Sequence, residues 1–96
     1  MKKIKIYISG AISNDPNFKN KFKKAEEKLK KESIVLNPAN LPEGMKYTDY
    51  MKICMPMVEI ADAIFILKDW KTSKGAKAEV EYAKALNKVT IYESWV

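Results

Sequence analysis

The sequence predicts an α/β fold in which helices cover a small parallel sheet of about four strands. Short apolar runs alternate with helical patterns along the whole chain, giving the order strand-helix-strand-helix-strand-helix-strand. One run, residues 63–67, is apolar throughout, which is typical of a strand buried on both faces. The intervening segments are long enough for helical crossovers, which join parallel strands with right-handed connections.

The composition indicates one globular domain over residues 1–96, with 47% hydrophobic residues. The single cysteine, Cys54, excludes an internal disulfide and favours a reducing compartment, so we expect a cytoplasmic protein. No apolar run has the length of a membrane span, so we expect no membrane partner. The absence of histidine excludes Ser-His triads and the usual zinc sites, and we expect neither a metal nor a cofactor.

The net charge is +6, and seven lysines fall within residues 19–31. We interpret them as a solvated helix face, because a nucleic-acid surface would need arginines or interleaved aromatic residues, and the chain has no arginine. A small phosphorylated ligand is compatible with this charge.

The first strand is predicted over residues 3–8, followed by a loop over 9–14 in which Gly10 permits close approach of a ligand. Asp15 is expected to cap the first helix, with Pro16 in its first turn. The sheet-facing stripe of this helix has members spaced three and four residues apart, namely Phe18, Phe22, Ala25 and Leu29.

The remaining strands are predicted over residues 34–36, 63–67 and 89–92, and a loop rich in Pro and Gly, 37–44, follows the second strand. Because this loop begins at the carboxyl end of a strand, it is a candidate wall of a pocket.

The second helix is expected to begin with Thr48 or Asp49 as its cap and to run to about Ile60. Pro56 lies inside it, which predicts a kink or break near Lys52. The buried stripe of this helix is expected to contain Tyr50, Ile53, Cys54, Met57 and Ala61.

The third helix contains the residue that we single out. Thr72 or Ser73 can cap it. At about 100° per residue, one broad apolar arc contains Ala76, Ala78, Val80, Tyr82, Ala83 and Leu86. Glu79 lies near the middle of this arc, whereas Glu81 points the opposite way. A carboxylate at this place lies in the crevice beyond the carboxyl ends of the strands, where ligands bind in open α/β sheets.

These residues resemble the nucleoside 2-deoxyribosyltransferase-like superfamily, and more narrowly its small branch found in phages and bacteria. The most specific motif is Ser73-x-Gly75-x-x-x-Glu79, and the resemblance extends over nearly the whole chain. The other matching segments are Ile6–Gly10, Asn37-Pro38, Ala61–Ile64, Trp70 and Ala85–Val89. The resemblance implies a flavodoxin-like, three-layer sandwich that usually assembles as a dimer or a larger oligomer.

The resemblance also implies a site. Glu79 matches a nucleophile that attacks the anomeric carbon of a (deoxy)ribosyl group and forms a glycosyl-enzyme, and Tyr7 matches a tyrosine that orients it. The partner is then a nucleoside or nucleotide, with its sugar or 5′-phosphate held by the first loop and Ser73. The substrate-binding residues implied are Ser9, Gly10, Ile12, Ser13, Asp49, Cys54, Trp70, Ser73 and Gly75.

The sequence departs from the catalytic members at two positions. Cys54 replaces an Asp that contacts or protonates the base, and Asp49 could substitute only if the second helix is shifted or broken. Ser13 lies at or near the position of an arginine. Two functions therefore stay open: an N-glycoside hydrolase or (deoxy)ribosyltransferase, favoured by Glu79 and Tyr7, and a binding protein that sequesters or senses a nucleotide, favoured by Cys54.

Several candidates also have purely structural interpretations. Glu79 can be a helical glutamate paired with a lysine, Tyr7 an ordinary strand residue, and Cys54 a small buried hydrophobe. Trp70 can stack on a base or sugar, cover the end of the sheet, or lie in a dimer contact. A homodimer is expected from the Met-rich second helix and from Trp95.

Overall fold

The computed structural model describes residues 3–13 and 15–95, without the side chain of Trp95. Its helices and strands follow the predicted order: β1 (Ile4–Ser9), α1 (Phe18–Leu29), β2 (Ser33–Leu36), α2 (Tyr47–Ile60), β3 (Ala63–Ile66), α3 (Lys74–Ala85) and β4 (Val89–Tyr92). Short 3₁₀ turns cover Pro38–Asn40, Trp70–Thr72 and Glu93–Trp95.

The four strands form one parallel sheet in the order β2-β1-β3-β4. This arrangement confirms the predicted α/β fold, because it is the flavodoxin-like order without its fifth strand. The chain leaves β1 toward β2 and then returns to the other side of β1 to form β3. The carboxyl ends of β1 and β3 therefore flank the point at which the order reverses, where such folds bind ligands.

Side chains of the central strands alternate between two apolar clusters, one on each face of the sheet. Ile6 and Ile8 of β1 pack in the cluster that contains Phe22 of α1. Tyr7 packs on the other face, in the cluster that contains Val58 of α2 and Val80 of α3. The sheet is thus covered by one helix on one face and two on the other, and no described helix is long and apolar enough to cross a membrane.

The first helix begins later than its sequence indicates. Asn17 occupies the N-cap position without a side-chain cap, so the prediction of Asp15 as cap was wrong. Asp15 instead accepts the Asn17 N–H at 2.8 Å and pairs with Lys21 Nζ at 2.7 Å, which lowers its pKa. The predicted stripe is confirmed, since Phe22 and Ala25 are buried and two partly buried residues complete it, namely Phe18 and Leu29.

The second helix is continuous through Pro56, so the predicted break does not occur. It begins at Tyr47, ahead of both predicted caps. Of the predicted buried stripe, Cys54 and Ala61 are buried and Met57 is partly buried, whereas Ile53 remains 38% exposed and Val58, outside the predicted stripe, is buried. The buried side chains of Cys54 and Val58, on either side of Pro56, hold this helix against the sheet despite the backbone hydrogen bond that proline removes.

The loop after β2 is fixed by one amide side chain. Asn37 Oδ1 accepts the Ala39 N–H at 2.9 Å, and Asn37 Nδ2 donates to Glu26 Oε1 at 2.7 Å. Asn37 therefore ties the turn that contains Pro38 to α1.

Packing of the protein core requires Gly10 to lack a side chain. A Cβ atom at Gly10 would lie 2.6 Å from Leu67 Cδ1 and 2.9 Å from Leu67 Cβ, both closer than any tolerated contact. Leu67 is 1% exposed and cannot move without disturbing the core. Glycine is thus required at this position by the protein's own core, and the approach of a ligand to Gly10 stays a prediction.

Gly10→Ala should destabilise the protein by about 1–3 kcal/mol, because the added methyl overpacks the core. Gly75→Ala is the matched control, since its Cβ would meet the nearest atom at 3.7 Å, an ordinary contact. This substitution also replaces a helical glycine, which costs a helix up to about 1 kcal/mol relative to alanine. Urea unfolding measures both. Equal stability of the two variants would contradict the packing argument at Gly10.

Candidate functional site

A pocket of about 330 Å³ opens beyond the carboxyl ends of the strands. Its walls come from the loop after β1, the loop after β2, and the first turns of α2 and α3. The lining residues are Gly10, Ile12, Ser13, Phe18, Pro38, Ala39, Leu41, Glu43, Gly44, Met45, Tyr47, Tyr50, Met51, Cys54, Ser73, Gly75, Ala76 and Glu79. The pocket therefore lies at the point where the strand order reverses.

Glu79 reaches the pocket because α3 begins beside it. Ser73 is the N-cap, and its Oγ accepts the Ala76 N–H at 3.1 Å, which confirms the predicted cap. Ala76, Val80 and Ala83 anchor this face of α3 against the sheet. Glu79 lies on the same face and is only 7% exposed.

Two hydroxyl groups of β1 hold the carboxylate of Glu79. Tyr7 Oη donates to Glu79 Oε2 at 2.9 Å, and Ser9 Oγ donates to Glu79 Oε1 at 2.7 Å. Residues two apart on a strand point to the same face, so the alternation of β1 places both donors toward α3. Both hydroxyl-bearing residues are fully buried, and each carboxylate oxygen thus accepts one hydrogen bond from a rigid donor.

The surroundings of Glu79 disfavour its charged form. Burial raises its pKa to about 7, although Ser9, Tyr7 and Cys54 oppose this by stabilising the carboxylate. No lysine forms an ion pair with it among the described residues, so the interpretation of Glu79 as a lysine-paired helical glutamate is wrong. Burial and the neighbouring Glu79 raise the pKa of Tyr7 well above its usual value, so Tyr7 stays a proton donor.

Cys54 lies in the pocket wall but supplies no acid. Its side chain is buried, and burial raises the pKa of the thiol to about 11, so it is neither an acid nor a thiolate at neutral pH. Asp49 cannot take over, because it is exposed, does not line the pocket, and accepts the Lys46 N–H at 3.3 Å. With α2 unbroken, the shift that would have moved Asp49 inward is absent.

The structure brings most of the remaining predicted site residues together. Five of them line the pocket, namely Gly10, Ile12, Ser13, Ser73 and Gly75. Ser9 lies beneath the pocket and acts through Glu79. Trp70 does not line it: the indole is half-buried beside Tyr92, with ring centroids 6.2 Å apart. The prediction that Trp70 joins Glu79 in one site was therefore wrong.

Sequence reasoning missed an aromatic and methionine-lined wall of the pocket. Tyr47 and Tyr50, in the first turn of α2, face the pocket. Tyr50 Oη also donates to Pro42 O at 2.6 Å and accepts the Met45 N–H at 3.2 Å, which fixes the loop over the pocket. The Tyr-x-x-Tyr spacing is visible in the sequence, but helical periodicity alone places Tyr50 in the buried stripe with Cys54 and Met57.

A charge cluster holds the loop after β1 in position. Asp69 Oδ1 accepts the Ala11 N–H at 3.1 Å, and Lys21 Nζ bonds both Asp15 and Asp69. All three charged side chains are partly buried. The cluster therefore ties the loop that carries Ile12 to the turn between β3 and α3.

Comparisons with known proteins identify relatives of this fold. A family model described as "Domain of unknown function (DUF4406)" matches residues 4–92. The chain is similar to a solved structure titled "2-desoxiribosyltransferase from Leishmania mexicana", with a TM-score of 0.74 and 24% identity over 95% of the chain. The chain spans 63% of that protein's length. No curated protein matches the sequence. The structural similarity confirms a nucleoside 2-deoxyribosyltransferase-like fold.

Relative to the parent, Glu79→Gln should be more stable at alkaline pH than it is at acid pH. The folded pKa of Glu79, about 7, exceeds the usual 4.5, so the folded state binds this proton more tightly than the unfolded state. The resulting stability is fully present below the unfolded pKa and is lost as pH rises through about 7, a change of roughly 3 kcal/mol in total.

Gln does not titrate, so the stability difference between Glu79→Gln and the parent should grow in favour of the variant from about pH 4 to pH 8. Chemical unfolding across this range measures it. Glu81→Gln removes an exposed carboxylate from the opposite face and serves as the control. A difference that stays constant with pH would show that Glu79 is not held in this environment.

Proposed function

We propose that this chain, which belongs to the DUF4406 family, cleaves or transfers the N-glycosidic bond of a nucleoside or nucleotide with Glu79 as its nucleophile. One observation carries the proposal: a nearly buried carboxylate borders a pocket, and both of its oxygens are held by neutral hydroxyl donors at 2.7 and 2.9 Å. A carboxylate in a core-facing stripe has no packing purpose, and the arrangement orients it without neutralising it.

The charges around the pocket suit the transition state of this reaction. Cleavage of a glycosidic bond develops positive, oxocarbenium-like charge on the sugar. The described lining residues carry two carboxylates, Glu43 and Glu79, and no lysine. Glu43 is exposed and pairs with Lys19 at 2.9 Å, so the negative charge available to the sugar is that of Glu79. A carboxylate beside the anomeric carbon stabilises positive charge there. A 5′-phosphate in the same pocket would be held by hydroxyl groups, such as those of Ser13 and Ser73, and by backbone N–H groups.

The proposed reaction proceeds in two steps. A Glu79 oxygen attacks the anomeric carbon, the bond from that carbon to the base nitrogen breaks, and the base leaves with the electron pair. Water then attacks the glycosyl-enzyme in a hydrolase, or the nitrogen of a second base does so in a transferase, and Glu79 is released as a carboxylate. Tyr7 and Ser9 keep the attacking oxygen in position through both steps.

A second candidate function is supported by Cys54. A thiol with a pKa of about 11 does not protonate a leaving base at neutral pH. In the enzyme, that proton has to come from water or from another group of the pocket; in a binding protein it is not needed. The alternative is therefore a protein that sequesters or senses a nucleotide in the same pocket without turnover.

Glu79→Gln should abolish the release of free base, lowering the rate by several orders of magnitude, because the amide is not a nucleophile. Chromatographic detection of free base, with a panel of nucleosides and 5′-monophosphates, measures this. The kcat/KM of the parent should rise with pH through about 7, as Glu79 ionises.

Glu81→Gln is again the matched control and should retain full activity. Undiminished turnover by Glu79→Gln would refute the assignment of the nucleophile. Tight binding of a nucleotide by the parent with no base release from any compound would instead favour the binding function.

We also propose that the chain forms a homodimer through the outer face of α2. Ile53 is 38% exposed and Ile60 56% exposed on this helix, and apolar side chains exposed together favour burial against a partner. The side chain of Trp95, the other basis for this expectation, lies outside the described residues. Light scattering at micromolar concentration should give twice the mass of the chain, and Ile53→Lys with Ile60→Lys should halve it. A parent protein that is monomeric would contradict the proposal.

A further inference from the structure

A second cleft, of about 580 Å³, lies between the turn after β3, α3 and the end of β4. It shares no lining residue with the pocket around Glu79. Trp70, which the first pocket leaves unused, forms part of its wall. The cleft is therefore a separate feature of the surface.

Two aromatic rings form one side of the cleft. The rings of Trp70 and Tyr92 have centroids 6.2 Å apart and planes inclined by 54°. Because the rings are tilted, neither covers the face of the other as it would in a parallel stack. Trp70 is half-buried and packs against the core cluster of α2 and α3, so its position is fixed while part of its surface stays exposed.

The other side of the cleft is positively charged. Three lysines line it, Lys68, Lys71 and Lys84. Glu93, which stands between the lining residues Tyr92 and Ser94, accepts the Lys68 N–H at 2.8 Å, so one carboxylate lies beside this wall and the lysines leave it an excess of positive charge. None of the three takes part in the ion pairs of the described part of the chain. Lys71 Nζ lies over the Trp70 ring, 5.8 Å from its centroid, so a base stacked on this face would displace the exposed Lys71 side chain.

Amines that line one cleft attract an anion. An aromatic surface beside them can stack on a nucleobase, because every base has a π-face. The cavity volume is in the range of sites that bind small molecules. The cleft thus combines a stacking surface, a cationic wall and room for one nucleotide.

We propose that this cleft is a second binding site, for a 5′-mononucleotide whose base packs against Trp70 and whose phosphate lies among Lys68, Lys71 and Lys84. The site shares no lining residue with the pocket around Glu79, so its occupancy does not require the proposed reaction. Lysine binds phosphate as a point charge, so binding should weaken as salt is added.

The test follows Trp70 fluorescence in a Trp95→Phe variant, titrated with adenosine 5′-monophosphate at low salt. Stacking should quench the emission, and adenosine should quench it much more weakly. Lys71→Gln with Lys84→Gln should weaken binding by about tenfold, because two close charges are lost. Lys24→Gln with Lys77→Gln removes the same net charge from exposed positions elsewhere and should leave the affinity nearly unchanged.

Equal weakening by the two double variants, equal quenching by adenosine, or no quenching at all would overturn the proposal. Much tighter binding of a single-stranded oligonucleotide than of the mononucleotide would also overturn it, in favour of a nucleic-acid surface. Glu79→Gln should bind adenosine 5′-monophosphate at Trp70 as the parent does. This result is expected whether or not the parent releases free base, so failure of either proposal can be recognised separately.

Discussion

The carboxylate of Glu79, held between the hydroxyl groups of Tyr7 and Ser9, is the interaction on which the site depends. It joins the central strand β1 to α3 through side chains that are all buried. A charged group there is stable only because two donors replace the water that burial removes. The geometry is consequently exacting: if β1 or α3 shifted, the carboxylate would lose its donors and the pocket would lose its only deeply placed charged group among the described residues.

The sheet order places this interaction at the mouth of the pocket. Because β1 lies at the point where the strand order reverses, its carboxyl end opens into a crevice instead of passing under a continuous helix layer. Close packing of Gly10 on Leu67 holds the loop after β1 against the core. The charge cluster of Lys21 and Asp69 binds the same loop through the Ala11 N–H. Core packing and partly buried charges thus shape the pocket that the carboxylate borders.

The environment of Glu79 has opposite effects on folding stability and on its use as a nucleophile. The burial that raises its pKa to about 7 destabilises the ionised, nucleophilic form, and the two hydroxyl donors return part of that stability. A salt bridge would hold the charge more firmly, but it would neutralise the group and weaken its interaction with a positive transition state. Neutral donors therefore give a carboxylate that is oriented and still available, at the expense of folding stability at high pH.

Local sequence determined the elements and their order, and it identified Glu79. Apolar runs and helical periods indicate strands and helices because both depend on neighbouring residues, and a carboxylate in the apolar arc of α3 is visible in the same way. Ser73 was recognisable as a cap because capping needs only the residues beside it.

Only the tertiary structure decided what residues far apart in the chain do together. The Tyr7–Glu79 hydrogen bond spans 72 positions and the Ser9–Glu79 bond 70, so no local pattern encodes either. The continuity of α2 through Pro56 and the burial of Val58 in place of Ile53 depend on packing against the sheet, which overrides the local preference. For the same reason Trp70 lies in a separate cleft: its place follows from the path of the turn between β3 and α3, which periodicity does not specify.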